Sequence, residues 1–404
     1  MTLTTLNPML RLLFLVGMLA LLAPVRADGL PAGVSVSFLE RWDVEQLNRI
    51  LSEKTPAFAG VKVGYTPARN AVKLYRITYP SVIPERGNRP TVATGLLAIP
   101  DTGAKRFAMV SYQHGTVYGR QEVPSFPQQS PETELMIAQF AGQGYLLIGA
   151  DYFGLGQSKE PEGYMVKASH QQATRDMLIA SRAVLAEQGF QPGRLFLAGW
   201  SQGGFVTLAM AEDLERSGMP AAAAVTASAP VDLFAAMNGF LSFARPNDAS
   251  WVPTLFMLTA FSYENYYALP GLARSVLTDA VFDAAGRLYR REPVKASEIP
   301  TELRAVVRPE YFDARFFAAS AYGRIVASTD AYRFVFTTPV RTYYGEADEA
   351  ITVGVGRMAQ TYAQAMGTGN PKVEAISTGK TTHRGTFATA VPAWKAWFDA
   401  LSRE

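Results

Sequence analysis

Residues 194–210 read RLFLAGWSQGGFVTLAM, and this stretch decides the fold. The apolar run Leu195–Ala198 predicts a short buried strand, and the apolar positions after the glycine pair at residues 203–204 predict a helix. Between them, residues 199–203 form a G-x-S-x-G turn, in which the glycines leave room for close backbone contacts. Such a turn would expose the Ser201 hydroxyl as a nucleophile and direct the backbone amide of Gln202 toward a developing oxyanion. We therefore expect a reactive serine at the end of a buried strand.

The chain on both sides of this stretch alternates short apolar runs with segments of helical periodicity. Runs of this kind are typical of parallel strands that helices cover on both faces. The predicted strands are Phe107–Tyr112, Tyr145–Ala150, Leu195–Ala198, Ala222–Thr226, Val340–Tyr344 and Lys372–Ile376, and the predicted crossover helices are 132–142, 168–188, 203–217, 354–366 and 391–401. Before them, Val72–Thr78 and Thr91–Ile99 predict an antiparallel start, with residues 80–90 as the connecting loop. The sequence thus predicts an α/β fold with a doubly wound, mostly parallel sheet.

Residues 231–336 break this alternation, because they contain no convincing strand and many aromatic, leucine and alanine residues. We expect a helical cap or lid insertion there, set into a core of residues 28–230 and 337–404. Its segment 251–261, WVPTLFMLTAF, is unusually apolar for the surface of a cap. The segment either packs against its own helices and the core or lines an apolar substrate pocket, and both can hold together.

Three further segments follow predicted strands: 111–116, SYQHGT; 345–351, GEADEAI; and 381–385, TTHRG. Together with the G-x-S-x-G turn, they resemble the motifs of the α/β-hydrolase superfamily, whose members present a serine, an acid and a histidine in that order along the chain. The resemblance spans most of the chain, from the first of these segments to the last. It implies an α/β-hydrolase fold and a catalytic triad of Ser201, Asp348 and His383.

The resemblance gives each member of this triad a role. His383 would take the proton of Ser201 as general base and later deliver it to the leaving group as general acid. Asp348 would accept the Nδ1 hydrogen of the imidazole, fix its tautomer and stabilise the imidazolium.

The identity of the acid has alternatives in the sequence. Glu346 and Glu349 flank Asp348 on either side. Asp232 lies just past the predicted strand Ala222–Thr226, where some family members carry their acid, but it equally resembles the N-cap of the insertion's first helix.

The segment SYQHGT resembles the oxyanion loop of the superfamily, which supplies a second backbone amide to the tetrahedral intermediate. Thr116 is the best match for that donor beside Gln202, and Gly115 is the next best. The nearby Tyr118 would either reach the pocket or serve in packing.

Three histidines and no cysteine narrow the remaining chemistry. The lack of cysteine excludes disulfides, thiolate metal sites and a cysteine nucleophile. We expect His114 to shape the oxyanion loop by hydrogen bonds and His170, near a predicted helix start, to face solvent. Residues 149–158 resemble a structural turn of the superfamily, and the chain lacks a phosphate-binding loop of the G-x-x-x-x-G-K-[ST] type. No cofactor and no metal are therefore expected.

The amino terminus predicts export. Arg11 precedes an apolar run over residues 12–23, and Val25-Arg26-Ala27 provides small-residue positions for cleavage, so residues 1–27 are predicted to be a signal peptide. The apolar run is too short to span a bilayer, which predicts no stable membrane anchor after cleavage. The net charge of +3 over 404 residues, with no basic run, disfavours nucleic acid as a partner. We expect a periplasmic or extracellular protein.

The export signal, the Tyr-Gln-His-Gly-Thr segment and the long insertion are similar to bacterial relatives of the secretory lipases. This resemblance implies an exported serine carboxylester hydrolase that cleaves apolar acyl esters, with a small-molecule or lipid ester as substrate. An exported serine aminopeptidase or oligopeptidase of the same fold is the alternative, although the sequence offers no compelling acidic pair for a peptide amino terminus. A non-catalytic binding protein is the second alternative, and the oligomeric state stays open.

Overall fold

The computed structural model describes residues 29–367 and 372–403, in which one nine-stranded sheet lies between two layers of helices. The strands are β1 (Ser35–Trp42), β2 (Val72–Ile83), β3 (Arg89–Pro100), β4 (Arg106–Gln113), β5 (Leu146–Ala150), β6 (Gln191–Trp200), β7 (Ala223–Ala227), β8 (Val340–Tyr344) and β9 (Val373–Ser377). Their spatial order is β1-β2-β3-β5-β4-β6-β7-β8-β9. Neighbours from β5 to β9 pair in parallel, whereas β1, β2 and β3 pair antiparallel. The predicted doubly wound, mostly parallel sheet is confirmed.

The antiparallel end of the sheet is larger than the sequence predicts. Strands β2 and β3 extend toward each other until Ile83 pairs with Arg89, so they take up most of the predicted loop over residues 80–90. Strand β1 was not predicted at all. Its side chains are mostly exposed or half-buried, and it therefore lacks the regular alternation that marks a strand in sequence.

Fourteen helices lie in the described part of the chain: α1 (Val44–Arg49), α2 (Thr55–Ala59), α3 (Pro131–Gln139), α4 (Lys167–Glu187), α5 (Gln202–Arg216), α6 (Leu233–Ser242), α7 (Val252–Tyr266), α8 (Leu272–Val276), α9 (Phe282–Tyr289), α10 (Leu303–Val306), α11 (Ala314–Ala319), α12 (Ala321–Ser328), α13 (Val353–Ala365) and α14 (His383–Arg403). Helices α4, α5 and α13 pack on one face of the sheet, and α1, α2, α3 and α14 pack on the other. Each face carries its own apolar core, as expected for a sheet buried on both sides.

The last helix begins eight residues before its predicted start at Val391, since α14 starts at His383. Its buried side chains Phe387, Val391, Trp394 and Phe398 recur at helical spacing and all face the same core. The apolar stripe therefore continues upstream of Pro392, which the helix accommodates internally.

The parallel strands place the sequence motifs at one edge of the sheet. Strands β4, β6, β8 and β9 all end at this edge, so the loops that follow them converge there. In doubly wound folds, ligands bind beyond the carboxyl ends of the strands.

The chain between β7 and β8 is helical, with α6 to α12 and no strand of the nine-stranded sheet. Only two isolated bridges, Asp232 with Asp330 and Leu277 with Val307, occur in this part of the described chain. The helical content fits the predicted insertion over residues 231–336, while its division from the core as a separate cap or lid stays a prediction.

Buried polar contacts tie this insertion to the loop before α4. The Arg291 guanidinium forms an ion pair with Glu162, and both side chains are almost completely buried, at 2% and 3% exposure. Arg291 holds this position with a left-handed backbone, at a φ of 61°. The hydroxyl of Tyr289 donates to the Glu162 carbonyl at 2.7 Å, and that of Tyr266 donates to the Pro161 carbonyl at 2.9 Å. The insertion is thus anchored at several points beside the sheet.

The predicted signal peptide, residues 1–27, lies outside the described residues. Within the described ranges, the helices include none that is both long and apolar enough to cross a membrane.

Candidate active site

Ser201 lies between β6 and α5 in a strained turn. Its φ of 57° and ψ of −125° fall in a region that residues with a Cβ rarely adopt. The backbone packs so closely here that a Cβ atom on Gly203 would overlap the Gln113 carbonyl, and one on Gly199 would overlap the Gly203 carbonyl. The Ser201 amide donates to the Ala227 carbonyl at 2.9 Å and fixes the turn on β7. The G-x-S-x-G spacing therefore reflects real steric need.

The structure brings the three predicted triad residues together. The Nε2 atom of His383 is 2.9 Å from the Oγ of Ser201. The Nδ1 atom of the same ring lies 3.0 and 3.1 Å from the two carboxyl oxygens of Asp348. Hydroxyl, imidazole and carboxylate thus form one continuous chain of hydrogen bonds, which is the geometry that base-activated serine chemistry needs.

Asp348 is buried and firmly positioned. Its Oδ1 accepts the amides of Ala350 and Ile351, each at 2.8 Å. Burial opposes ionisation, but the charge and hydrogen bond of His383, together with the Ile351 amide, outweigh it and hold the pKa of the Asp348 carboxyl below its usual range. The carboxylate is therefore ionised and available to the imidazole at neutral pH.

The alternative acids make other contacts. Glu349 accepts the backbone amide of His383 at 2.8 Å, and Glu346 accepts the hydroxyl of Ser377 at 2.8 Å. Asp232 caps α6 by accepting the Ala235 amide at 2.8 Å. Of the four candidate acids, Asp348 is the one that contacts the imidazole ring.

The two residues predicted to supply oxyanion donors, Gln202 and Thr116, both line the void beside Ser201. Gln202 is the first residue of α5, so its amide belongs to the positive end of the helix dipole. On the other side, the hydroxyl of Thr116 lies 2.9 Å from the Tyr164 hydroxyl. The amide of Gly115 instead donates to both carboxyl oxygens of Glu132, at 3.1 and 3.2 Å. This contact engages Gly115 and favours Thr116 as the second donor.

The two remaining histidines are both buried, and the expectation that His170 faces solvent was wrong. His170 is 2% exposed, because the start of α4 lies beneath the loop that carries Tyr152. The imidazole ring of His170 contacts the Tyr152 ring edge-on, with 4.6 Å between the ring centroids. Burial lowers the pKa of His170 to about 3. His114 stacks on Tyr152 at 4.1 Å and places Nδ1 2.8 Å from the Gly115 carbonyl. Burial lowers its pKa to about 4, so both rings are neutral near pH 7.

An apolar cleft opens on one side of Ser201, between the edge of the sheet and the insertion. Helices α6 and α7 of the insertion supply much of its wall. Its apolar lining includes Met165, Leu233, Met237, Phe240, Leu255 and Ile351. The cleft is narrow, with a volume of about 30 Å³.

A polar groove opens on the other side of Ser201. Tyr118, Trp200 and Arg384 line it throughout, and one end contains His383. The opposite end, beside Glu132, has a volume of about 410 Å³ and is far wider than the apolar cleft. The further lining residues include Phe58, Glu122, Gln129, Ser130, Trp251 and Glu349.

Comparisons with known proteins agree with this architecture. No protein-family model and no curated protein matches the sequence. A candidate hydrolase from Legionella pneumophila has a similar structure, with a TM-score of 0.81, 20% identity, and coverage of 92% of this chain and 98% of that one. The rice cell wall degrading esterase LipA from Xanthomonas oryzae gives a TM-score of 0.75 at 19% identity, covering 91% and 96%. The fold is that of the α/β hydrolases. Candida antarctica lipase A in its closed state is more distant, with a TM-score of 0.61, 13% identity, and coverage of 93% and 83%.

Sequence reasoning missed several residues that this α/β-hydrolase fold brings to the site. Glu132, Tyr164 and Arg384 all border the voids around Ser201. The Ser-Pro-Glu pattern at residues 130–132 signals only a helix start, and nothing local shows that Glu132 turns inward. No group of three or more histidine, aspartate or glutamate side chains in the described ranges is arranged to hold a metal ion.

Proposed function

We propose that this chain is an exported serine carboxylester hydrolase that forms an acyl-enzyme on Ser201. The observation that carries the proposal is the 2.9 Å contact between the Ser201 hydroxyl and the His383 imidazole, with Asp348 behind the ring. The likeness to solved structures supports the fold, and the esterase and lipase among them support the choice of an ester as substrate.

The reaction follows from the positions of the atoms. Ser201 Oγ attacks the ester carbonyl carbon while its proton passes to Nε2 of His383, and Asp348 stabilises the resulting imidazolium. The amides of Gln202 and Thr116 hold the negative oxygen. His383 then protonates the leaving alcohol as the C–O bond breaks. A water molecule, deprotonated by the same imidazole, releases the acid and restores the hydroxyl of Ser201.

The two voids suggest how a substrate lies. The apolar cleft suits the acyl chain, because its lining offers few polar partners. The leaving group must lie near the Nε2 atom of His383, which opens into the polar groove. We infer an apolar acyl group and a more polar alcohol in the preferred ester.

One observation favours the peptidase alternative, since Glu122 and Glu132 both line the groove and could receive a peptide amino terminus. Backbone amides already occupy these carboxylates: Glu122 accepts those of Tyr118 and Gly119, each at 3.0 Å, and Glu132 accepts that of Gly115. These contacts hold both carboxylates toward the loop after β4, and the void on the other side of Ser201 is apolar, so the ester hydrolase is the preferred function.

The test is hydrolysis of p-nitrophenyl esters from acetyl to palmitoyl, with aminoacyl anilides as the contrast. We expect ester turnover that falls on the order of 10⁵-fold in Ser201→Ala, together with labelling of the unsubstituted chain by a serine-directed phosphonate. Turnover of the anilides alone would favour the peptidase. No turnover and no labelling would favour the non-catalytic binding protein.

Export has a separate test. Expression of the full chain in a Gram-negative host should give a protein whose amino-terminal residue is Asp28, found in the periplasm or the medium by mass spectrometry. Recovery of the uncleaved chain in the cytoplasm would contradict the proposal.

A further inference from the structure

Glu132 occupies a position that stability alone does not explain. It lies in the first turn of α3, and its side chain is buried beneath the loop after β4. The Tyr112 hydroxyl donates to it at 2.7 Å, and the Gly115 amide donates to both of its oxygens. Burial raises the pKa of Glu132 to about 7, against these two hydrogen bonds. A buried carboxylate costs free energy that a neutral or apolar side chain would avoid.

A neighbour on the same helix shows the contrast. Glu134 is also buried, but it forms an ion pair with Lys54. Glu132 has no cation within ion-pair distance in the described part of the chain. Its contacts are with the oxyanion loop and with Tyr112, at the end of the strand that carries this loop.

The contacts of Glu132 hold one of the two peptide groups that flank the Gly115 Cα. The second peptide group contains the Gly115 carbonyl and the Thr116 amide, which point in opposite directions because the peptide is planar and trans. His114 binds that carbonyl through Nδ1 at 2.8 Å and so orients the Thr116 N–H. With both peptide groups held, the backbone angles of Gly115 are fixed, and glycine would otherwise be the most flexible residue of the loop.

On the basis of the proposed function, we propose that Glu132 is a positioning residue: its buried carboxylate anchors the Gly115 amide and thereby holds the Thr116 amide toward the oxyanion. It touches no reacting atom. It acts by keeping the donor in place before the reaction starts, which is the condition under which an oxyanion donor is most effective.

Because Glu132 can carry a negative charge, the direction of the change in kcat on neutralising it tests the proposal. Above its pKa of about 7 Glu132 is ionised, and a carboxylate near a developing oxyanion repels it, so in an assay above that pH neutralising Glu132 would raise kcat if its charge were what mattered. If anchoring the loop is what matters, neutralisation lowers kcat. Glu132→Gln separates the two, because it removes the charge and keeps the shape, while its NH₂ group takes the place of one of the two oxygens that accept the Gly115 amide.

The experiment compares Glu132→Gln and Glu132→Ala with the control Glu134→Gln in the full chain. With p-nitrophenyl butyrate, we expect kcat to fall about tenfold in the glutamine variant and about 100-fold in the alanine variant, with KM within about twofold. The affinity for an alkyl boronic acid, which mimics the tetrahedral intermediate, should fall in parallel with kcat. Glu134→Gln should keep kcat and boronate affinity, and the melting temperature of every variant shows that it is folded.

Three results would overturn the inference. An unchanged or increased kcat in Glu132→Gln would remove the anchoring role. A rise in KM with kcat retained would make Glu132 a substrate contact of the groove instead. An equal loss of kcat in Glu134→Gln would show that the loss comes from disturbed packing of α3 and not from the contact between Glu132 and Gly115. Failure of the unsubstituted protein to cleave esters or bind the boronate would overturn the proposed function itself, and this inference with it.

Discussion

The apolar cleft and the polar groove meet at Ser201, yet different parts of the chain build them. The cleft takes much of its wall from α6 and α7, in the insertion between β7 and β8. The groove is formed mainly by α2, by the start of α3 and by the start of α14, which all pack on the core, and Trp251 of the insertion borders only its end beside His383. The same edge of the sheet thus has an apolar side and a more polar side, because the insertion covers one and helices of the core cover the other.

This difference teaches how specificity is divided along the sequence. On the proposed function, the insertion selects the acyl group and the core selects the leaving group. A change in one wall should then leave selection at the other intact, while a change at the triad should affect both equally.

Among the variants that compare the two voids, Asp348→Asn should have the largest effect, because it acts where they meet. The amide would favour the wrong tautomer of His383, and we expect kcat to fall on the order of 10³ to 10⁴-fold for every ester, with the fold intact. Steady-state kinetics on short and long acyl esters, with circular dichroism, would check this. A near-normal rate would move the acid to Asp232 or to a neighbouring glutamate, and Glu349→Gln is the matched control.

Ala236→Phe should have a smaller effect that is limited to the choice of acyl group, because the new side chain fills the apolar cleft from α6. We expect kcat/KM for butyryl esters to fall about tenfold, because the butyryl chain loses its space in this narrow cleft, while acetyl esters change little. The acyl-chain profile with a constant leaving group would measure this.

The matched control for the cleft is Gln129→Trp, which narrows the groove instead. It should leave the acyl-chain profile unchanged and reduce turnover of esters with bulky alcohols. Equal losses for both acyl lengths in Ala236→Phe would show that the cleft does not hold the acyl group.

Local patterns in the sequence predicted the strained turn at Ser201, since strand, glycines and helix are contiguous there. The positions of Asp348 and His383 followed from their place after predicted strands. The environment of His170 could not be predicted in this way, because its burial depends on the loop around Tyr152 that folds over the helix start. Glu132 was missed for a similar reason, as its partner Gly115 lies 17 residues away on another element.

The buried pair of Arg291 and Glu162 has a consequence for how the protein would meet its substrate. Moving the insertion away from the sheet would break this pair together with the Tyr289 and Tyr266 hydrogen bonds beside it, so these contacts hold the insertion against the loop before α4. On the proposed function, such an enzyme would need no oil–water interface to become active. It would cleave single dissolved ester molecules as readily as those in droplets.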